Sequence, residues 1–416
     1  MKRVLSYLLC SLIALTVAAG CQWFGKEKEE SGYDKVLIIA APDADNGLWG
    51  DVTGNINTMK AAWLPGYKSR YAVLLVAQGN SSSSVSDIPR IIRMYKKDNK
   101  SVLDTLKTYS AGDALSDPSI LGNALAWVRD NFQSKGYGML VSTHGTGWLP
   151  EQYYNTHPVV EPLFSTPLSV HRNSLGEEYV YKGGVKTRYE MTLEEFREAI
   201  TIPLDYIVFD ACLMGCVEVA YELREVAPYL LVSAAEVIGS GFDYSDMVST
   251  LLRSDTVPGL KSVGQRYYDL YNSQSGWSRT ATVALIDTGA TVSLASAVKP
   301  LAEKYRTAIA SLEYVANMDS RAGYTSPVQG FYSSGKHWFF DLEDIFVKAG
   351  MDASEQAGLE RAISACVLYK ANTPEYLTYP IDTFCGLTMY LPCAGDEELD
   401  TYYRTLGWNN AVSLVN

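Results

Sequence analysis

Residues 138–148, GMLVSTHGTGW, and residues 206–215, YIVFDACLMG, decide the fold. Each stretch begins with a short run of apolar and β-branched residues and ends in small or polar residues, which is typical of a buried strand followed by a turn. Three further runs have the same character: Lys35–Ala41, Tyr71–Ala77 and Pro228–Ser233. Because their apolar residues are continuous rather than alternating, both faces of each strand must be covered. The sequence therefore predicts a mostly parallel sheet.

Helical patterns separate these runs. Apolar residues recur at spacings of three and four in Asn55–Trp63, Ile88–Asp98, Ser119–Ser134, Leu193–Ile200 and Leu213–Val226. This alternation predicts an α/β fold in which helices flank the sheet on both faces. We assign residues 35–246 to this core and residues 247–416 to a C-terminal α/β extension of the same sheet.

The C-terminal subdomain has its own helix and strand patterns. The predicted helices are Val248–Ser254, Gly259–Ser273, Val292–Val315, Leu342–Gly350 and Leu359–Lys370, and the predicted strands are Thr280–Ile286 and Gly386–Leu391. These stretches carry no independent catalytic set, so we expect them to extend the sheet and pack against it.

Composition excludes two classes of protein. The chain has 416 residues, of which 47% are hydrophobic and 12% aromatic, enough to offset the ordering entropy that keeps polar chains disordered. Its formal charge is −12, with 35 Lys and Arg against 47 Asp and Glu. Proteins that bind nucleic acids concentrate positive charge, so we exclude nucleic acid as a partner.

The N-terminus predicts export and lipid anchoring. A basic start, the apolar run Val4–Val17 and the small residues Ala18–Gly20 form a signal peptide over residues 1–20. Cys21 follows directly and resembles the diacylated cysteine of a bacterial lipobox, which would anchor the protein stably in a membrane. The charged tether, residues 21–34, resembles the acidic signal of Bacteroidetes surface lipoproteins. We expect an outer-membrane or cell-surface location; the alternative is a soluble exported protein.

The cysteine count points to a reactive thiol. Cys10 leaves with the signal peptide and Cys21 would carry lipid, so five of the seven cysteines remain in the folded part. An odd number in an exported protein indicates a reactive free cysteine or incomplete pairing. The absence of a C-x-x-C pair argues against structural zinc.

His144 and Cys212 follow two of the predicted strands. Ligands and substrates bind at the carboxyl ends of parallel strands, so both residues lie where a site is expected. Cys212 is predicted to open the helix Leu213–Val226, where the helix dipole would lower the thiol pKa. The amides of Gly145 and Cys212 could hold an oxyanion, and the set predicts a Cys-His dyad for acyl transfer. The alternative is that both residues are buried parts of the scaffold.

The motifs HG-x-G-W and D-A-C-L-M, each at a strand end, resemble the clostripain (C11) cysteine peptidases, which are relatives of caspases, legumain and gingipains. Other segments agree in order, namely Ala44–Asn46, Ser233–Tyr244 and Cys385–Pro392, and the resemblance runs from Lys35 to Trp408. It implies a caspase-like fold.

The resemblance also implies a role for each site residue. His144 would be the general acid/base, Cys212 the nucleophile and Gly145 an oxyanion donor, while Asp210 would line the S1 pocket and favour a basic P1 side chain. The family adds a second acidic S1 residue after the fifth strand, and Asp243, Glu236 or neither could serve.

We therefore expect a cysteine endopeptidase that cleaves polypeptides after Arg or Lys. The alternatives are a peptidase that prefers a non-basic P1 residue, and a non-catalytic surface lipoprotein that binds peptide or glycan.

The connection between the dyad residues is long. It holds 67 residues, positions 145–211. Family members are often activated by self-cleavage here after a basic residue, and the chain offers Arg172, Lys182, Lys186 and Arg188. The alternative is a structural hairpin over the sheet edge.

We predict no cofactor but leave calcium open, since clostripain-like enzymes can depend on it. Asp43–Gly47 resembles part of a calcium loop but lacks the glutamate of an EF-hand, so a polar turn is the simpler interpretation. The expected partners are a polypeptide substrate and, through Cys21, a membrane.

Overall fold

The computed structural model describes residues 32–43, 47–79, 88–157, 175–182, 184–238, 240–316, 323–332, 335–377 and 379–416. The predicted signal peptide, Cys21, most of the tether, Ala44–Asn46 and Arg172 lie outside these residues. No helix within the described ranges is long and apolar enough to cross a membrane.

The described strands are numbered in chain order. They are β1 Tyr33–Pro42, β2 Tyr71–Gln78, β3 Arg90–Lys97, β4 Lys100–Thr108, β5 Ser134–Ser142, β6 Leu175–Lys182, β7 Val185–Met191, β8 Tyr206–Asp210, β9 Tyr229–Val232, β10 Thr282–Asp287, β11 Phe340–Asp341, β12 Val367–Asn372, β13 Glu375–Tyr376, β14 Tyr379–Pro380 and β15 Thr388–Met389.

Nine of these strands form one sheet in the order β12-β10-β9-β8-β5-β1-β2-β3-β4. The five central strands, from β9 to β2, are parallel, with Ile38 opposite Met139 and Leu140 opposite Val208. The outer pairs are antiparallel on both sides. All five core strands predicted from the sequence are confirmed, and so is the mostly parallel α/β sheet.

The described helices are numbered in the same way. They are α1 Trp49–Ala61, α2 Pro118–Asn131, α3 Tyr153–Thr156, α4 Leu193–Ala199, α5 Val217–Glu222, α6 Met247–Arg253, α7 Thr256–Asn272, α8 Thr291–Ile309, α9 Leu342–Lys348, α10 Ala353–Cys366, α11 Glu397–Tyr403 and α12 Gly407–Val412. Short 3-10 turns lie at Leu223–Glu225, Gly276–Ser278 and Pro392–Ala394.

The helices divide between the two faces of the sheet. In β1, Val36 and Ile38 belong to one core cluster, while Leu37 and Ile39 belong to the other. Helices α2, α4, α5 and α8–α12 pack on the first face, and α1, α6 and α7 on the second. Since successive strand residues point to opposite faces, the continuous apolar runs bury side chains on both sides.

The helix predicted over Ile88–Asp98 is wrong, because this segment contains β3. Asp98 and Asn99 both have positive φ, 49° and 60°, which is the geometry of a two-residue hairpin turn. The turn folds β4 back onto β3, and inter-strand pairing overrides the helical spacing of the apolar residues.

Two C-terminal strands join the same sheet, whereas β15, which lies within the predicted strand Gly386–Leu391, pairs with β11 outside it. Strands β10 and β12 pair next to β9, as the predicted extension requires. The predicted helix Leu359–Lys370 ends at Cys366, because the chain continues as the edge strand β12. The division of the chain at residue 246 stays a prediction.

Candidate active site

The register of β5 and β8 brings His144 and Cys212 to the same edge of the sheet. Ser142 lies opposite Asp210, and the amide of Thr143 donates to the carbonyl of Asp210 at 3.4 Å. His144 and Cys212 each follow by two residues on adjacent parallel strands. They are nearly buried, with 4% and 7% of their surface exposed.

The loops after the two strands are in direct contact, and the contact requires glycine. A Cβ atom on Gly145 would lie 2.8 Å from the carbonyl oxygen of Cys212. Gly147 has φ +62°, and its Cβ would lie 2.7 Å from the carbonyl oxygen of Leu213. We call residues 143–148 after β5 the histidine loop and residues 211–216 after β8 the cysteine loop. The glycines of the HG-x-G motif therefore let the histidine loop pass against the cysteine loop.

Cys212 lies in a turn and not at a helix start. Leu213 has φ +62°, and α5 begins only at Val217, with Cys216 as its N-cap. The prediction that Cys212 opens a helix is therefore wrong, and the dipole of α5 does not act on its thiol directly. The turn persists because the backbone amides of Leu213 and Gly215 donate to the carbonyls of Ala235 and Ser233 at 3.1 and 2.7 Å.

The Cys212 sulfur contacts the backbone of Val237. The Val237 amide donates to Sγ at 3.3 Å, and the Val237 carbonyl oxygen is 3.6 Å from Sγ. The amide, at the shorter distance, favours the thiolate, whereas the carbonyl accepts from the thiol and favours the protonated form. This contact joins residues 25 positions apart, so local sequence patterns could not reveal it.

Asp210 is buried beneath the loop that follows β9. Its Oδ2 accepts a hydrogen bond from the Tyr244 hydroxyl at 2.5 Å. Burial raises the pKa of Asp210 to about 6, although the Tyr244 hydroxyl and the Phe242 amide stabilise its charged form. Gly241 covers the carboxylate, since a Cβ there would lie 2.4 Å from Oδ2. Tyr244 belongs to the segment Ser233–Tyr244 that resembles the family, but no sequence pattern predicts its hydrogen bond to Asp210.

The two candidates for a second acidic residue have different surroundings. Asp243 pairs with Arg266 on α7 at 2.7 Å and accepts hydrogen bonds from Ser245. Burial raises its pKa, but the bonds from Ser245 and Arg266 outweigh burial and lower it overall.

Glu236 is only 6% exposed and directly precedes Val237. It accepts hydrogen bonds from the hydroxyls of Tyr154 and Tyr376, the first at 3.1 Å. Glu236, and not Asp243, directly precedes the residue whose backbone contacts the Cys212 sulfur.

The hairpin of β6 and β7 begins against the histidine loop. Leu175 pairs with Gly145, and the Gly176 amide donates to the His144 carbonyl at 3.3 Å. Lys186 and Arg188 lie within β7, and Arg188 pairs with Glu177 and Glu190 at 3.0 and 2.7 Å. The side chain of Lys182 is outside the described residues.

The remaining cysteines and candidate ligands form no further site in the described part of the chain. Cys212, Cys216, Cys366, Cys385 and Cys393 form no disulfide there. Within the same residues no group of three or more His, Cys, Asp or Glu side chains is arranged to hold a metal ion. Part of the predicted calcium loop lies outside them, so calcium dependence stays open.

Known proteins match this chain in sequence and in fold. Residues 185–379 match the clostripain family, Peptidase C11. Clostripain of Hathewaya histolytica is 27% identical over 235 residues, which cover 50% of this chain and 41% of clostripain. The chain thus matches less than half the length of that relative.

Two solved structures share the fold over nearly the whole chain. A secreted C11 cysteine protease of Bacteroides thetaiotaomicron, "iotapain", has a TM-score of 0.70, and an inactive zymogen C11 protease of Parabacteroides distasonis has 0.67. Each is 20% identical, and each alignment covers 92% of this chain and 99% of the other. These matches confirm the resemblance to the clostripain family and the α/β architecture with a mostly parallel central sheet.

Proposed function

We propose that this chain, which matches the clostripain family over residues 185–379, is a cysteine endopeptidase with Cys212 as nucleophile and His144 as general acid/base. The observation that carries the proposal is the β5 and β8 register, which brings both residues to one sheet edge with their loops in contact. A thiol and an imidazole at adjacent strand ends are suited to acyl transfer.

In the proposed reaction, His144 carries the proton released by the Cys212 thiol, and the Cys212 thiolate attacks the carbonyl carbon of the scissile bond. The amides of Gly145 and Cys212 donate to the oxyanion of the tetrahedral intermediate. His144 then protonates the leaving amine, and a thioester with Cys212 remains. His144 next removes a proton from water, which attacks the thioester, releases the acid product and restores the thiol.

For P1 preference, we propose that Asp210 attracts a basic side chain. A buried carboxylate lacks solvation, so a cationic side chain in the pocket would stabilise its charged form. The hydrogen bond from Tyr244 to Oδ2 helps to keep this carboxylate charged. A preference for a non-basic P1 residue is the competing outcome.

The test is hydrolysis of fluorogenic peptides with Arg, Lys, Asn, Asp or Ala at P1, with calcium and with chelator. We expect turnover after Arg and Lys that falls by about a thousandfold or more in Cys212→Ala and His144→Ala. Cys393→Ala is the matched control, because this half-buried thiol contacts Leu312 and should leave turnover unchanged. Cleavage after another residue would keep the dyad and remove Asp210 from S1, whereas no turnover would favour a peptide-binding or glycan-binding lipoprotein.

We also propose self-activation by cleavage between His144 and Cys212. A peptidase binds its substrate as an extended chain with free backbone groups. Lys182, Lys186 and Arg188 all lie in the β6–β7 ladder, so we propose the bond after the remaining basic candidate, Arg172.

Intact mass spectrometry tests this cleavage. Wild type should convert to two chains, while Cys212→Ala and Arg172→Ala stay whole. Equal persistence of the intact wild-type chain would contradict the proposal, and conversion of Arg172→Ala would move the cut to another basic residue.

Finally, we propose that Cys21 is diacylated and holds the domain on the outer membrane or cell surface. Labelling with a radioactive fatty acid should mark wild type and not Cys21→Ala. Release of unlabelled wild type into the medium would favour simple secretion.

A further inference from the structure

We infer that Glu236 is a positioning residue that holds the backbone amide of Val237 against the nucleophilic sulfur. The effect of Glu236 on catalysis rests on the proposed function. Its effect on the Cys212 thiol does not, because thiol alkylation can be measured without peptide hydrolysis. It assigns Glu236 a role different from that of an acidic S1 residue.

Residues 233–237, which we call the brace segment, run beside the cysteine loop. The carbonyl oxygens of Ser233 and Ala235 accept from the amides of Gly215 and Leu213, and the Val237 amide donates to Cys212 Sγ at 3.3 Å. Every second residue of the brace segment therefore bonds to the cysteine loop. Of these three backbone hydrogen bonds, the one from Val237 ends on the sulfur, so the position of Val237 determines that contact.

Glu236 fixes the end of the brace segment through two tyrosines from distant parts of the chain. Tyr154 on α3 donates to Oε1 at 3.1 Å, and Tyr376 on β13 donates to Oε2. Both rings are almost fully buried, at 4% and 2% exposure, and Tyr376 packs in a small core cluster with Ala234 and Ala235. Hydrogen bonds to a charged acceptor in such surroundings are strong and directional.

A basic residue extends this network from the side of Tyr154. Lys336 donates to the Tyr154 carbonyl, and its ammonium lies 4.4 Å from the centre of the Tyr154 ring. The carboxylate of Glu236 therefore joins the cysteine loop to two other segments, around α3 and β13. Loss of that carboxylate should let Val237 move away from the sulfur.

The positioning role and an S1 role predict opposite behaviour. If Glu236 acted only as a nearby charge, its neutralisation would make the Cys212 thiolate easier to form. If it positions Val237, its removal loses a donor to the sulfur and makes the thiolate harder to form. If it were an S1 carboxylate, its removal would raise KM for basic P1 residues and leave the thiol unchanged.

The experiment measures alkylation of Cys212 by iodoacetamide from pH 5 to 9, followed on the Cys212 peptide by mass spectrometry. In Glu236→Ala we expect the rate at neutral pH to fall about tenfold, with its rise displaced to higher pH, as for loss of one hydrogen bond to a charged atom. Kcat should fall similarly while KM stays within about twofold. Glu236→Gln keeps one carbonyl acceptor and should recover part of the rate.

Tyr154→Phe and Tyr376→Phe each remove one donor to Glu236 and carry the test if Glu236→Ala does not fold. Tyr137→Phe is the matched control, because it removes a buried hydroxyl that donates to the Phe132 carbonyl at 2.9 Å, near the start of β5 and away from the brace segment. None of these substitutions changes His144 or Tyr267, whose phenol interacts electrostatically with the Cys212 thiol.

Unchanged alkylation profiles in Glu236→Ala and both Phe variants would overturn the inference. So would faster alkylation in Glu236→Ala, or a rise in KM limited to Arg and Lys substrates. If alkylation changes as expected but wild type hydrolyses no peptide, the proposed function is wrong and the positioning role of Glu236 still holds.

Discussion

At the scale of single residues, Asp210 is a buried carboxylate with one oxygen engaged by Tyr244. Burial raises its pKa to about 6, and the charge of Asp51 on α1 contributes in the same direction. Since only the ionised form attracts a cation, P1 selectivity should depend on pH near this value.

We expect the ratio of kcat/KM for a P1 Arg substrate to that for a P1 Ala substrate to rise from pH 5 to 7 and then level off. Titration of His144 and Cys212 affects both substrates and cancels in the ratio. In Asp210→Asn the ratio should be low and independent of pH. An Arg-selective wild type with a constant ratio across this range would contradict the assignment of Asp210.

At Gly147, the contact between the histidine loop and the cysteine loop requires the absence of a side chain. Its φ of +62° and a Cβ position 2.7 Å from the Leu213 carbonyl oxygen leave no room for alanine. We expect Gly147→Ala to lower the free energy of unfolding by roughly 2–4 kcal/mol and to abolish turnover by displacing the cysteine loop.

Gly54→Ala is the matched control in thermal unfolding. Gly54 lies inside α1, where an added Cβ meets nothing within 4 Å. Alanine there should raise the free energy of unfolding by about 0.5–1 kcal/mol and leave activity unchanged. Equal melting temperatures for the two variants would show that the contact between the loops is not tight.

At the scale of elements, α5 connects the cysteine loop to the C-terminal segment. The Gly215 carbonyl accepts from the Thr388 amide at 2.9 Å, just before α5 begins. Glu218 in the first turn accepts from the Tyr390 amide at 2.9 Å and from the Tyr403 hydroxyl at 2.7 Å. The C-terminal segment therefore supports the cysteine loop from behind.

Glu218 should make this support sensitive to pH. Burial raises its pKa to about 7, although the bonds from Tyr403 and Tyr390 favour the charged form. Because the folded pKa exceeds the unfolded value, the stability that Glu218 contributes is fully present below about pH 4.5 and is lost as the pH rises through 7.

The unfolding free energy of wild type relative to Glu218→Gln should therefore fall by about 2 kcal/mol between pH 5.5 and pH 8 in urea titrations. The other carboxylates titrate in both proteins and cancel in the difference. Glu194→Gln is the control for the change from carboxylate to amide, since that side chain is 73% exposed. A constant difference for Glu218→Gln would show that its carboxyl group ionises normally.

At the scale of the whole molecule, the two sides of the proposed cleavage share one core. Strands β1 to β5 precede the cut, and β8 follows it in the same sheet, hydrogen-bonded to β5. Helices α2 and α4 come from opposite sides of the cut and pack in the same core cluster. Cleavage should therefore leave the fold intact.

We expect the two chains to co-elute at the intact mass in gel filtration and to separate only under denaturing conditions. A Cys212→Ala protein with an unrelated protease site placed between residues 158 and 174 tests this without self-cleavage. As a control, the cut protein is run in strong denaturant, where the two chains should separate if the cut is complete. Elution of two smaller species in native buffer would contradict the shared core.

The sequence by itself determined the central strands, the strand-end positions of His144 and Cys212, and the glycines between them. It could do so because buried parallel strands are short continuous apolar runs, and because strand ends are marked by a change of residue type. The resemblance to the clostripain family follows from the same short motifs. Local patterns were insufficient at Ile88–Asp98. The apolar residues there have helical spacing, but the turn at Asp98 and Asn99 pairs β3 with β4 as a hairpin.

Only the tertiary structure decided what surrounds the reactive groups. The donor to Cys212 is Val237 and not a helix terminus, and the partner of Asp210 is Tyr244, 34 positions away. Glu236 is held by Tyr154 and Tyr376, which lie 82 and 140 positions from it. Such contacts depend on how separate segments pack together, and no local periodicity records them. Periodicity reports which face of an element is buried, whereas the partner of a buried polar group is set by packing across the chain.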